Sequence, residues 1–508
     1  MKVSLTYPGA TPTFYPPLGI LSIGTLLREK GVDVDVRDLS FGTLSDFREY
    51  LGSARPDVVG FSCVTPIVDR AFEAARLAKS QNPDCVVVLG GPHPTALPED
   101  TVRNPNVDVV VVGEGEMTFL DLVHDLDKGT DLSQVSGIYY KAKGIVRRTT
   151  PRPPIHNLDA LPIPDRKLLP TFGKNLTTSP PYPMGSPCTP VIFGRGCPYS
   201  CAFCQPLLRK VFGKEVRLRS VQKVVDEIEY LLEDFKVKFV WFSDDTLTSS
   251  KKWAKALCKE IIDRGLHREF KWFAQTRVNL FDADIARMMK RAGCIFVAFG
   301  VESGSQEIRD SVLKKGITND QIRVAFRVCH DEGMLSEAAL IIGCPGESKS
   351  TLDETIETVK EIKPDVVDVH YLTPLPGSAL YDSLKNELPD SGDWKMLDRY
   401  KVGSTKLSGL TEEELEASYL EVYKNFHRYK SLRRSVVSWL RYVANTISVW
   451  GFVRGMRTLS WALFNANPLS PTMFLQENWR YGSLFRCILL PFLTMKRLRR
   501  QRTPRRIA

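Results

Sequence analysis

Between residues 1 and 150, short apolar runs ("KVSLTYP", "VDVDVRDL", "PDVVGFSC", "CVVVLGG" and "VDVVVVGEGE") alternate with stretches of helical spacing such as "LGILSIGTLLREKG" and residues 67–81. Strands apolar on both faces are those covered by helices on both sides, and each interposed helix returns the chain so that successive strands pair in parallel. The pattern predicts an α/β fold whose N-terminal domain, residues 1–150, is doubly wound and Rossmann-like. Ligands of such sheets sit at the carboxyl ends of strands, where this chain places Gly60, Gly90, Gly91, Gly113 and Gly115. The same glycines also suit tight turns between strand and helix. No G-x-G-x-x-G follows the first strand, so a dinucleotide is not favoured.

Residues 151–187 follow as a linker, 11 prolines falling within 151–190. Such a stretch forms no interior helix or strand and is expected as an extended connector laid over the surface. From 188 to 385 strand-like runs again alternate with helices, from "PVIFGRG" through "VKFVWFSDD", "FKWFAQTRV", "CIFVAFGVESG" and "SEAALIIGCPGE" to "VVDVHYLTPLPG". Six repeats in this order predict a partial (β/α)6 TIM-type barrel. Barrel chemistry belongs to the C-terminal ends of the strands. There the chain sets three thiols after the first strand, Asp244 and Asp245 after the second, Glu302 after the fourth, and Gly346 and Glu347 after the fifth.

Composition excludes disorder, with 43% hydrophobic and 25% charged residues in 508. Eleven cysteines, mostly isolated in apolar surroundings, are no disulfide ladder. "MKVSLTYPGA" reads as a first strand rather than a signal peptide, which implies a cytoplasmic setting. The net charge of +10 is concentrated in a basic, mainly helical C-terminal region within 386–508, where Arg428–Ala508 carries 16 Lys/Arg and one acid, Glu477. Trp439, Trp450 and Trp461 interleaved with arginines suit an amphipathic segment on the inner face of a membrane. A basic cap on the barrel and nucleic-acid binding are the alternatives. No RNA-binding module accompanies the charge, so nucleic acid is not expected.

Cys197, Cys201 and Cys204 in "GCPYSCAFC" have the spacing C-x3-C-x2-C, which lets one loop wrap one inorganic centre. Structural zinc takes four ligands and a [4Fe-4S] cluster one per iron. A fourth thiol is missing, and recruiting Cys188 would require a strand to fold back. A closed zinc site, free thiols, and a cluster whose fourth iron is left to a small chelator are the readings.

This loop resembles the cluster motif of the radical S-adenosylmethionine (SAM) enzymes. The resemblance implies that the three cysteines bind a [4Fe-4S] cluster whose fourth iron SAM chelates, with Phe203 near the adenine. "FSDDTLT" is similar to the segment that holds the methionine amino group through Asp244 or Asp245, although Leu247 replaces an aromatic. "FGVESGSQ" implies ribose or carboxylate contacts from Glu302 and Ser303. "IIGCPGE" implies that Gly346 and Glu347 flank SAM, with Cys344 a packing residue, and "LTPLPGS" resembles the closing strand, with Ser378 for a threonine.

"YPPLGILSIGTLLREKGVDVDVRDL", "PDVVGFSCVTP", "LGGPHPTALPE" and "VVVVGEGEMTF" resemble the cobalamin-binding domain that precedes the barrel in one class of these enzymes. That implies cobalamin at Gly60, Ser62, Gly90, Gly91, His93, Gly113 and Glu114. D-x-H-x-x-G is absent, so no lower histidine ligand is expected; His93 is read as a loop residue near the ligand. A domain that has lost its cofactor is the alternative. The family implies C-methylation of an unactivated carbon in an amphiphilic isoprenoid lipid, hopanoid or tetrapyrrole, with flavodoxin or ferredoxin as electron donor. Radical cyclisation or rearrangement, and a non-catalytic cobalamin and cluster binder, are the alternatives. No catalytic residue is singled out.

Overall fold

The computed structural model describes residues 1–178, 186–204, 212–213, 215–386 and 407–429, with isolated positions at 388, 394, 397 and 399. The basic segment expected at a lipid interface, beyond Tyr429, lies outside the described residues. Among those described, no helix is long and apolar enough to cross a membrane.

The first sheet contains β1 (Lys2–Tyr7), β2 (Asp33–Asp38), β3 (Val58–Ser62), β4 (Val86–Gly90), β5 (Val109–Val111), β6 (Ile138–Ala142) and β7 (Ile145–Arg148), in the order β2-β1-β3-β4-β5-β6-β7. Side chains alternate across the strands. Val58 and Val88 pack with the helices Leu18–Glu29 and Gly115–Lys128, whereas Val59 and Val87 pack with Leu44–Ala54 and Val68–Gln81. The first five strands are parallel, as expected. Beyond them β6 and β7, which the sequence pattern did not show, add an antiparallel edge hairpin. Lys143 and Gly144 both have positive φ (50° and 77°), the requirement of a two-residue turn that matches strand twist.

After β8 (Cys188–Val191) the short strands β9 (Gly194–Arg195) and β10 (Arg217–Leu218) pair with each other. Then come β11 (Phe239–Phe242), β12 (Lys271–Thr276), β13 (Cys294–Glu302), β14 (Leu335–Ile342) and β15 (Val366–Tyr371). The second sheet is wholly parallel, in the order β15-β14-β13-β12-β11-β8. This is the six-stranded open barrel. Its intervening helices start at side-chain caps, Ser220, Ser250, Asp282, Thr318 and Ser348.

Several contacts join the halves, apolar packing and the linker among them. The inner barrel face carries Cys188, Phe239, Trp241, Phe273 and Phe296, and Phe14 with Tyr15 from the N-terminal half pack into it. Tyr15 meets Trp241 at 4.7 Å between ring centroids. The linker departs from the surface path expected. Leu158, Leu161, Arg166, Leu169 and Phe172 are buried, Arg166 pairing with Glu227 at 2.6 Å and Tyr230 donating to Asp165 at 2.7 Å. Its prolines do not exclude burial, and, against the expectation, the stretch also forms a short helix, Phe172–Thr177, with Phe172, Asn175 and Leu176 buried.

Candidate functional site

A cleft of about 380 Å³ opens where the carboxyl ends of the first sheet face the barrel mouth. The order β2-β1-β3 reverses chain direction beside β1, which leaves a crevice for ligands there. Gly60, Ser62, Gly90, Gly91, Gly113 and Glu114 line one wall; Gly194, Arg195, Gly196, Asp244 and Asp245 line the other. Gly91 has φ 95°, and a β-carbon on it would meet Ser62 Oγ at 2.9 Å and the Cys63 backbone at 3.0 Å. A side chain there would push the loops of β3 and β4 apart.

His93 does not line the cleft. It is buried beside Trp394 (5.0 Å between centroids), with Nδ1 3.2 Å from Thr65 Oγ1, and burial pushes its pKa down to about 4. No histidine lines the cleft among the described residues. Glu114 is also committed elsewhere: its carboxylate accepts from Arg217 at 2.5 Å and from the Ile155 amide at 2.7 Å.

The cysteine loop leaves β9 through Gly196, at φ 95°, where a β-carbon would stand 2.2 Å from the Glu215 carbonyl oxygen. At its centre the Ala202 amide donates to Leu313 at 2.8 Å, and the Ala202 carbonyl accepts from Leu380 at 3.0 Å. Cys197 and Cys201 are half-buried and Cys204 is exposed. Desolvation, then Asp245 and Cys201, push the Cys204 thiol up to about 12.

Among the described residues no three His, Cys, Asp or Glu side chains stand close enough to share one ion, whereas a cubane takes one thiolate per iron. Cys188 is fully buried on the inner barrel face, so it does not complete a fourth-thiol zinc site. Cys344 is buried among Ile308, Leu313, Ile341, Leu372 and Leu380, with Phe203 packed against that group.

The two aspartates after β11 differ. Asp244 is buried, and its carboxyl accepts from the Gly194 amide at 2.5 Å and the Phe193 amide at 3.3 Å, so it ties the strand end to the cysteine loop. Asp245 is exposed to the cleft, and desolvation by the cleft walls pushes its pKa up to about 6. Glu302 ends β13 at φ 68°, an uncommon conformation for a side-chain-bearing residue. It pairs with Lys315 at 2.7 Å. A β-carbon on Gly300 would lie 2.3 Å from Glu302 Oε1, so the pair depends on that glycine.

Ser303 is buried, receiving the Ser305 amide at 3.1 Å and facing Thr355 at 3.3 Å; its hydroxyl is engaged away from the expected ribose or carboxylate contact. Gly346 has φ 74° and open space around it. Glu347 closes its own loop on the Gly343 amide (2.5 Å) and the Cys344 amide (3.2 Å). Burial pushes its pKa to about 7, and Oε1 has no hydrogen-bond partner among the described residues.

Sequence reading missed Arg195 and Lys315 among the cations that surround these acids, and it offered Arg277 only as a barrel-interior residue that could orient a substrate. Arg195 precedes the cysteine loop by two residues and meets Glu116 at 2.5 Å and Glu114 at 3.4 Å; Ser22 donates to Glu116 at 2.9 Å. Burial opposes ionisation of Glu116, but the Arg195 charge and its hydrogen bonds outweigh it and hold the pKa below the usual value. Lys315 and Arg277 flank the thiols. Nothing local in the sequence joins the first pair, whose members are 79 residues apart.

The donor set fits a thiolate-bound, electron-accepting cluster, with three thiols on one loop and Arg277 3.5 Å from Cys201 Sγ. The glycine-rich wall, with no histidine in its lining, fits a broad planar cofactor bound without a protein base.

The model of the B12 binding domain matches residues 9–123, and that of the Radical SAM superfamily matches residues 191–359. The chain is 36% identical to an uncharacterized methyltransferase of Pyrococcus horikoshii over 420 residues, covering 81% of this chain and 88% of that protein. It is 33% identical to the anaerobic magnesium-protoporphyrin IX monomethyl ester cyclase of Rubrivivax gelatinosus, covering 74% and 67%. Its fold matches the radical SAM methyltransferase TsrM from Kitasatospora setae, solved with cobalamin and a [4Fe-4S] cluster, at TM-score 0.66 and 18% identity over 85% and 90% of the two chains.

Proposed function

Because the chain belongs to the radical SAM superfamily, in the branch that carries a B12-binding domain and uses a [4Fe-4S] cluster, SAM and cobalamin, we propose that it methylates an unactivated carbon of an amphiphilic substrate. The substrate class is an isoprenoid lipid, a hopanoid or a tetrapyrrole. One observation carries the reading: a single cleft is walled by the β3, β4 and β5 ends and by Gly194–Gly196, which lead into the cysteine loop. When bound, the cluster with SAM supplies radical hydrogen abstraction and cobalamin supplies a transferable methyl group.

Cys197, Cys201 and Cys204 hold the cluster. Phe203, Asp245 and Glu302 face SAM, with Gly346 leaving room beside it, while Asp244, Ser303 and Glu347 fix the loops from which those contacts are made. Gly60, Ser62, Gly90, Gly91 and Gly113 let cobalamin approach backbone. The units are residues 1–150, 151–187, 188–385 and 386–508. Arg428–Ala508 brings the enzyme to an anionic membrane surface, and a flavodoxin or ferredoxin supplies electrons. Similarity to a cyclase supports ring formation as a second reading.

The test incubates anaerobically reconstituted protein with SAM, dithionite, cobalamin and extracts of a deletion strain. 5′-Deoxyadenosine with a product heavier by one methylene supports methylation; deoxyadenosine with loss of hydrogen from the product supports cyclisation. An intact cluster giving no deoxyadenosine overturns both.

A further inference from the structure

We infer that Arg277 donates a hydrogen bond to the Cys201 thiolate and so raises the reduction potential of the cluster held by this loop, an inference that rests on the cluster reading above. Arg277 follows β12 and is only 5% exposed. Four contacts leave its guanidinium one orientation. Nη1 stands 3.5 Å from Cys201 Sγ, Nη2 donates to the Lys315 carbonyl at 2.5 Å, and Nε donates to Asn279 Oδ1 at 3.2 Å. The Tyr199 ring centroid lies 3.7 Å from the guanidinium carbon.

Tyr199 and Cys201 belong to the same loop, so the arginine grips that loop by a ring face and by a sulfur. A brace between β12 and the Lys315 turn needs only the carbonyl bond; it does not need a further N–H beside a ligand sulfur. Arginine stays charged at every accessible pH. Reduction adds one negative charge to the cluster, and cluster potentials respond to net charge and to hydrogen bonds on the sulfurs. A buried donor cation therefore favours the reduced state. Lys315 is a poor substitute, its charge being paired with Glu302 at 2.7 Å.

The experiment is an anaerobic dithionite titration of the full chain, with the reduced cluster read by EPR, comparing wild type with R277Q and R277K. R277Q should lower the ratio of reduced to oxidised cluster about tenfold at a fixed poise, a midpoint about 59 mV more negative for a one-electron couple. R277K, which keeps the charge and loses the fork, should fall between. An R277Q midpoint equal to wild type at full iron content overturns the inference. If R277Q assembles no cluster, R277K decides: a lower midpoint supports the bond, and an unchanged one overturns it. A wild-type chain that binds no iron would instead overturn the cluster reading.

Discussion

Replacing Glu116 by Gln removes the charge that Arg195 meets between the two halves, and the structure gives the size of the effect. The Glu116 side chain is 4% exposed and the Arg195 side chain 20%. Breaking one partner of a buried ion pair costs about 3–5 kcal/mol, because the other charge stays behind. Glu114 remains 3.4 Å from Arg195, so we expect the lower end, about 3 kcal/mol. For a unit of this size that is a drop in melting temperature of roughly 6–12 °C, read by calorimetry on the transition that involves the first sheet. The pH dependence has a definite sign. The folded pKa of Glu116 lies below its usual 4.5, so its contribution is complete above that value and is lost as pH falls through the folded value. The gap between wild type and E116Q should be level near neutrality and narrow only in acid. A gap below about 0.5 kcal/mol, the range of a neutral surface change, or one unaltered by acid, would refute the buried-clamp argument.

Three further outcomes are expected. Cys201→Ala should abolish the cluster absorbance of anaerobically reconstituted protein, and a persistent signal would mean that other side chains hold the iron. Asp245→Asn should weaken SAM binding in equilibrium dialysis by about tenfold or more, the worth of a charged hydrogen bond, while Asp244→Asn keeps affinity because its amide oxygen still accepts from Gly194; the reverse order would exchange their roles. His93, neutral when folded with a pKa of about 4 against an ordinary 6.5, contributes stability that is complete above pH 6.5 and lost as pH falls toward 4. His93→Phe should flatten urea-unfolding stability across that window, and an unchanged profile would place the titration elsewhere.

Local patterns made much of this legible. Apolar runs separated by stretches of helical spacing carried the parallel strands of both sheets, because that alternation is written within a few residues. The three thiols were equally plain, their spacing being a property of one loop. What escaped depends on distant pairing. Asp244 and Asp245 are adjacent and alike, and only the amides of Phe193 and Gly194, some 50 residues away, separate a loop tie from a cleft-facing group. Arg195 and Glu116 are 79 residues apart. His93 looked like a loop residue near the ligand, yet Thr65 and Trp394 enclose it. The linker's prolines spoke against regular structure, whereas its burial came from leucines and Arg166, whose partner Glu227 belongs to the barrel. The β6–β7 hairpin was hidden by its polar, exposed outer strand.

That one cleft serves both cofactors is tested most directly by the EPR signal of cobalt(II) in the anaerobic, fully loaded protein, recorded with the cluster oxidised and then reduced. Two groups facing the same cleft should interact, so the cobalt signal should relax faster once the cluster becomes paramagnetic. A cobalt signal indifferent to the cluster, with iron and cobalt both present in full, would contradict the account.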